Sequence, residues 1–212
     1  MPRVLRYVLL ALALTLLPVA AGVVWAGGGQ DEPEAPEPPA YESTPLASYD
    51  TASVTVARAG FCERIPEEAV VEALGGEPSA AASYGTGERA AVTGSTEDVA
   101  HEYGCRYQGA DGAEARAWVF APPVTIERAR DLVEEASGIG GCRPQQQAEE
   151  YGAPSLALLC PARGRRFASY RGLFGDAWLA CSVAVPGSPS DPEALDRAGR
   201  WCVAVAEAAA PS

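Results

Sequence analysis

The chain has 212 residues, 48% hydrophobic and 21% charged, with a formal net charge of -12, which argues against nucleic acid as a partner because phosphate binding needs a basic face. All 16 basic residues are arginine, and neither lysine nor asparagine occurs. That excludes Schiff-base and phosphate-loop lysine chemistry and N-glycosylation, and the codon bias behind it points to a GC-rich bacterial genome.

Arg3 and Arg6 precede an uncharged apolar run over residues 7–26. Twenty residues of helix cover about 30 Å, the thickness of a bilayer's hydrocarbon core, and the two arginines favour a cytoplasmic N-terminus. Residues 1–26 are therefore expected to be a transmembrane anchor, which makes the membrane a partner. A cleaved signal peptide with Pro18 after its apolar stretch is the alternative. Both readings export the rest of the chain. Residues 27–52 follow as an acidic, proline-rich spacer. Residues 27–50 hold six acids, five prolines and no base, a composition that resists folding. Residues 53–212 are then an extracytoplasmic domain of α+β class, antiparallel strands with helices packed on them.

Within that domain, residues 66–74 are predicted as a helix, with Pro66 in its first turn, Glu67 and Glu68 at the positive end of the dipole and Gly75 ending it. A hairpin follows. Its turn is Asp111-Gly112, and its second strand puts Glu114, Arg116, Trp118 and Phe120 on one face and Ala115, Ala117, Val119 and Ala121 on the other. A helix over 126–136 would bury Ile126, Ala129, Leu132, Val133 and Ala136. SLALLC is a strand, and RRFASY and DAWLACSVAV form another hairpin around RGLFG. The last helix, over 192–208, has a capping box in Ser190 and Glu193, or Asp191 as an alternative cap, and a stripe of Leu195, Ala198, Cys202 and Val205. Each half thus runs hairpin, proline, helix, which suggests an internal duplication.

The exported part holds six cysteines. An even count in an oxidising compartment reads as disulfides. No C-x-x-C occurs, and one histidine cannot complete a zinc-finger spacing, so no metal and no cofactor is expected. Six cysteines allow 15 pairings. The most economical is sequential, Cys62–Cys105, Cys142–Cys160 and Cys181–Cys202.

The motif Cys62-x-x-Ile65-Pro66, with Val70, Ala73-Leu74-Gly75 and then Cys105-x-Tyr107 before a hairpin, resembles a group of exported actinobacterial envelope domains of unknown function. Many are small lipoproteins, and some are similar to extracellular sensor domains of membrane kinases. The likeness covers residues 60–136. It lacks the group's lipid-attachment cysteine, which suggests the helical anchor instead, and no kinase domain is present. The resemblance implies no catalytic residue.

Arg163, Arg165, Arg166 and Arg171 cluster within nine positions of an acidic protein. They form the candidate binding site, suited to an anionic envelope component or an acidic protein partner; a solvated strand edge is the plainer reading. His101 has no catalytic company, and no G-x-S-x-G occurs. Trp118, Trp178 and Trp201 are expected in the core. Carboxylate pairs such as Glu149-Glu150 and Glu97-Asp98 are too common in an acidic chain to argue glycosidase chemistry. The expectation is a membrane-anchored binding or sensor-like domain, with a wall-modifying hydrolase or a structural envelope factor as alternatives.

Overall fold

A computed structural model describes residues 41–93, 96–162 and 164–211. The anchor, residues 27–40 of the spacer, and Arg163 lie outside the described residues. No helix among the described residues is long and apolar enough to cross a membrane.

The fold is α+β. Seven antiparallel strands form one sheet in the order β1-β4-β5-β9-β8-β7-β6, and β2 and β3 pair only with each other. The strands are β1 (Ala80–Tyr84), β2 (Arg89–Thr93), β3 (Thr96–Val99), β4 (Glu102–Gln108), β5 (Glu114–Phe120), β6 (Arg143–Pro144), β7 (Ser155–Ala162), β8 (Arg165–Phe174) and β9 (Ala177–Pro186). The helices are α1 (Glu67–Leu74), α2 (Ile126–Ser137) and α3 (Asp191–Ala208).

Local chemistry accounts for the element ends. Pro66 precedes α1, and Gly75 closes it at φ 74°, a left-handed geometry that glycine adopts without strain. Asp111 and Gly112 both sit at positive φ, 55° and 79°, which is what the tight β4–β5 turn demands. Ser190 caps α3 in a full capping box with Glu193, while Asp191 lies inside the first turn. The β8–β9 turn is tighter and later than expected: residues 171–174 continue β8, and the reversal falls at Gly175 and Asp176.

Alternation sorts the sheet into two faces. Ala115, Ala117 and Val119 of β5, and the odd residues 177 to 185 of β9, are buried against α1 and α3 in the main core. Trp201 of α3 is buried there, its indole donating to the Arg116 carbonyl at 2.9 Å. Among the described residues, α2 covers one corner of the opposite face, where Val124 and Ala129 meet Leu173 and Trp178. Ile126, expected on the buried stripe of α2, is instead 45% exposed, because the helix meets the sheet through Ala129, with Leu132 and Val133 half-buried beside it. The duplication fails on this geometry. A two-fold axis exchanging the antiparallel hairpins β4–β5 and β8–β9 would set their following helices on one face, and α2 and α3 lie on opposite faces.

The expected spacer boundary at 52 is also too late, because residues 41–52 are part of the domain. Leu46 is buried over Gly199 of α3, where a Cβ would press on it at 3.1 Å. Arg200 donates to the Ser43 carbonyl and hydroxyl, both at 3.0 Å. The acids and prolines around Leu46 conceal this strap in the sequence.

Three disulfides join Cys62 to Cys105, Cys142 to Cys160 and Cys181 to Cys202, with no free cysteine. They fasten the entry to α1 onto β4, the β6 edge onto β7, and β9 onto α3. By loop entropy the first, with a sequence separation of 43, is worth about 4 kcal/mol and the others about 3. Such cross-links indicate an oxidising, extracytoplasmic setting.

Candidate functional site

The structure separates the arginines that the sequence clusters. Arg165 and Arg166 are neighbours on one strand and therefore point to opposite faces. Arg165 is exposed and donates to the Gly112 carbonyl at 2.9 Å. Arg166 turns to the helix-covered face and pairs with Asp191 at the start of α3. Arg143 joins the same carboxylate at 2.8 Å, and hydrogen bonding from Arg143, with the charges of both arginines, holds Asp191 below the usual carboxylate range. These two arginines are therefore already engaged within the fold. They do not make a joint surface with Arg171.

Arg171 shares the open face with Arg165 but lies six residues further along β8, in a different setting. It is half-buried, its buried Nε has no hydrogen-bond partner, and no ion pair involves it among the described residues. Burial alone lowers its pKa. Ser169, two residues away on the same face, also has a buried hydroxyl without a partner. Such groups are uncommon in folded proteins, because each forfeits hydration for nothing in return.

The register explains how the surroundings arise. One cross-strand row reads Tyr84, Gly104, Trp118, Ala180, Arg171. Two small residues alternate with three large ones. Gly104 lets the Tyr84 ring lie across β4, where a Cβ would collide with it. Ala180 leaves open space between Trp118 and Arg171. The result is a cavity of about 580 Å³ on the open face, with Trp118, Phe120, Arg116 and Arg171 in its lining.

The cavity is polar at one end and apolar at its rim. Arg116 sits beside Glu114 at 3.8 Å and over the Trp118 ring at 5.9 Å, a cation–π geometry. Tyr84 donates to Glu102 at 2.6 Å. Burial raises the Glu102 pKa, and the Tyr84 hydrogen bond and the Arg116 charge partly oppose it. Burial, then the hydrogen bond to Glu102, push the Tyr84 phenol well up. The phenol is therefore the donor and the carboxylate the acceptor. Asp98 and exposed His101 complete the polar end. Val99 and Ile139, 42% and 44% exposed, form the apolar rim.

Trp118 thus departs from the core reading, being half-buried and lining the cavity, whereas Trp178 and Trp201 are buried in the two cores. Sequence reasoning missed Arg116, Tyr84 and Glu102. The polar–apolar alternation of β5 was the available signal, since an arginine and a tryptophan on the face opposite the alanines announce a surface left uncovered. Among the described residues no group of three His, Cys, Asp or Glu side chains could hold a metal ion. A scan against family models finds no match for this chain, and a search of curated proteins finds none either.

Proposed function

We propose that the chain is an exported bacterial binding domain that holds a small anion bearing a flat apolar group, an aryl or alkyl carboxylate or phosphate ester, on the open face of its sheet. One observation carries the reading: the Arg171 guanidinium has no hydrogen-bond or ion-pair partner among the described residues, and its Nε is buried. A carboxylate or phosphate engages that planar fork bidentately. The Trp118 ring and the apolar rim suit the remainder of such a ligand, and a concave site with few convergent polar groups is the usual form of a small-molecule pocket. The disulfides support an oxidising location. Residues 1–26 read as a membrane anchor, with a cleaved leader as the alternative, and the absence of the envelope group's lipid-attachment cysteine favours the anchor.

The test is titration of the full-length chain, in nonionic detergent, with benzoate and phenyl phosphate, using benzylamine as the cationic control and following tryptophan emission and heat. Benzoate or phenyl phosphate should saturate the protein and benzylamine should not. Arg171→Gln and Trp118→Ala should each remove the response. Equal binding by parent and Arg171→Gln would place the anion elsewhere.

A further inference from the structure

The two edges of the sheet are treated differently. The β6 edge is two residues long, consists of Arg143 and Pro144, and is fastened by the neighbouring Cys142–Cys160 bond. A short strand, a charge and a proline are the usual means of stopping another strand from adding. β1 carries none of them. Its sequence is Ala-Ala-Ala-Ser-Tyr, its first four residues are exposed, and β4 is its sole strand neighbour among the described residues. One side of its backbone is left without a strand partner.

A groove runs beside that edge on the helix-covered face. Three adjoining hollows of about 450, 180 and 400 Å³ follow β1 from Tyr84 to Ala81, and all three share Cys62 and Glu63 in their walls. The far wall is the one-turn 3₁₀ helix Cys62–Arg64 and then α1. The Cys62–Cys105 disulfide and the Tyr107 hydroxyl, which donates to the Cys62 carbonyl at 3.3 Å, tie that wall to β4. The floor includes Ile65, Val70 and Tyr107. The rim is acidic: Glu63, Glu67 and Glu77 are exposed, and none has an ion pair among the described residues. Arg64, in the groove's lining, is directed away, donating to the Ala208 and Ala210 carbonyls at 2.6 and 3.3 Å.

We propose that the groove between β1 and α1 takes an extended, basic segment of a partner polypeptide, which adds to β1 as an eighth antiparallel or parallel strand. An edge strand facing a helix supplies both requirements of strand addition: backbone groups for affinity, and a groove for every second side chain. In the added strand, apolar side chains at alternate positions enter the groove over Ile65, Val70 and Tyr107. Lysine or arginine at the two ends of the segment is placed near the glutamate rim. The acidic rim selects against this chain's own acidic stretch, where Asp31, Glu32, Glu34 and Glu37 occur without a base. This surface meets the row of the Arg171 cavity at Tyr84 and does not require a ligand in that cavity.

The experiment uses the full-length chain and a labelled peptide in which valine and serine alternate over six positions between two lysines at each end, so that one lysine of each pair faces the groove. Its counterparts replace lysine with glutamate, or methylate the backbone nitrogen of every serine, or of every valine. The lysine-flanked peptide should bind, the glutamate peptide should not, and one of the two methylated series should fail while the other binds, because only alternate N–H groups face β1. Converting Glu63, Glu67 and Glu77 together to Gln should weaken binding roughly tenfold and flatten its salt dependence. These side chains are exposed, so circular dichroism should show an unchanged fold. Amide exchange in β1 should slow when peptide is bound. Equal binding of both methylated series, or of the triple Gln variant, overturns the proposal. So does concentration-dependent protection of β1 without peptide, which would assign the edge to a second copy of this chain.

Discussion

Arg171→Met should make the empty protein more stable and blind to anions. The substitution keeps an unbranched stem of similar length and removes the guanidinium, whose Nε is buried without an acceptor. A buried donor left unsatisfied costs about 1–3 kcal/mol, and replacing a buried ionic group with a well-packed apolar one is often stabilising by about 1–4 kcal/mol. A gain of about 1–3 kcal/mol moves the melting temperature of a domain of this size up by roughly 2–10 °C. Parent protein at a ligand concentration near 100 times Kd should gain about 2.7 kcal/mol, whereas the variant should gain nothing. The assay is calorimetric melting of the full-length chain with and without benzoate. Arg165→Met is the control: it removes an exposed arginine whose one hydrogen bond is to the Gly112 carbonyl, and it should stay within about 0.5 kcal/mol of the parent. A lower melting temperature for Arg171→Met would refute the reasoning, because it would mean that the guanidinium is held by the fold and contributes to it.

Two further substitutions test the rest of the cavity. Glu102→Gln should melt higher than the parent at neutral pH, with the difference closing as the pH falls towards the ordinary glutamate value of 4.5. The raised pKa means that the folded parent favours the protonated carboxyl, so stability from this group is present below 4.5 and lost as pH rises through the folded value; a difference that widens on acidification would reverse the sign. Gly104→Ala should lower the urea midpoint by an amount equivalent to about 1–3 kcal/mol with an unchanged m-value, because the new methyl group drives the Tyr84 ring off Glu102; an unaltered midpoint would show that the ring has room to move.

What could be read from the sequence was whatever depends on neighbours along the chain. The α1 end at Gly75, the Asp111-Gly112 turn, the Ser190 capping box and the alternation of β5 are all set within a few residues, and each follows from backbone geometry or a local hydrogen bond. The misplaced features depend on contacts across the fold. Leu46 reads as spacer because its partner Gly199 is some hundred and fifty residues away. Ile126 reads as core because periodicity fixes a helix's face without saying how much of that face the sheet can cover. The arginine cluster is read across the fold in the same way. Closeness in sequence suggested one patch, but a strand sends adjacent residues to opposite faces, so Arg165 and Arg166 divide between the faces and Arg171 belongs to the row of Trp118. Strand order beyond the hairpins, which brings β9 beside β5, has no local signature.

Tyr84 gives the two proposed surfaces a common residue. It ends β1, so its backbone lies on the free edge and beside the groove, while its side chain crosses Gly104 to reach Glu102 in the cavity lining. A strand added along β1 would order the backbone that carries this phenol. A ligand that draws on Glu102 would compete for the phenol's acceptor. Coupling between two sites needs an element whose state both can bias, and the Tyr84–Glu102 pair meets that condition with one hydrogen bond. The sign follows from the geometry. A ligand anion on Arg171 leaves the pair intact and should not oppose the peptide. A ligand cation on Glu102 would take the acceptor from Tyr84 and loosen the end of β1. Parent protein should therefore bind the lysine-flanked peptide equally well with and without benzoate, while Gly104→Ala, which breaks the pair directly, should weaken peptide binding without touching a groove residue. Unimpaired peptide binding in that variant would show that the two surfaces act independently.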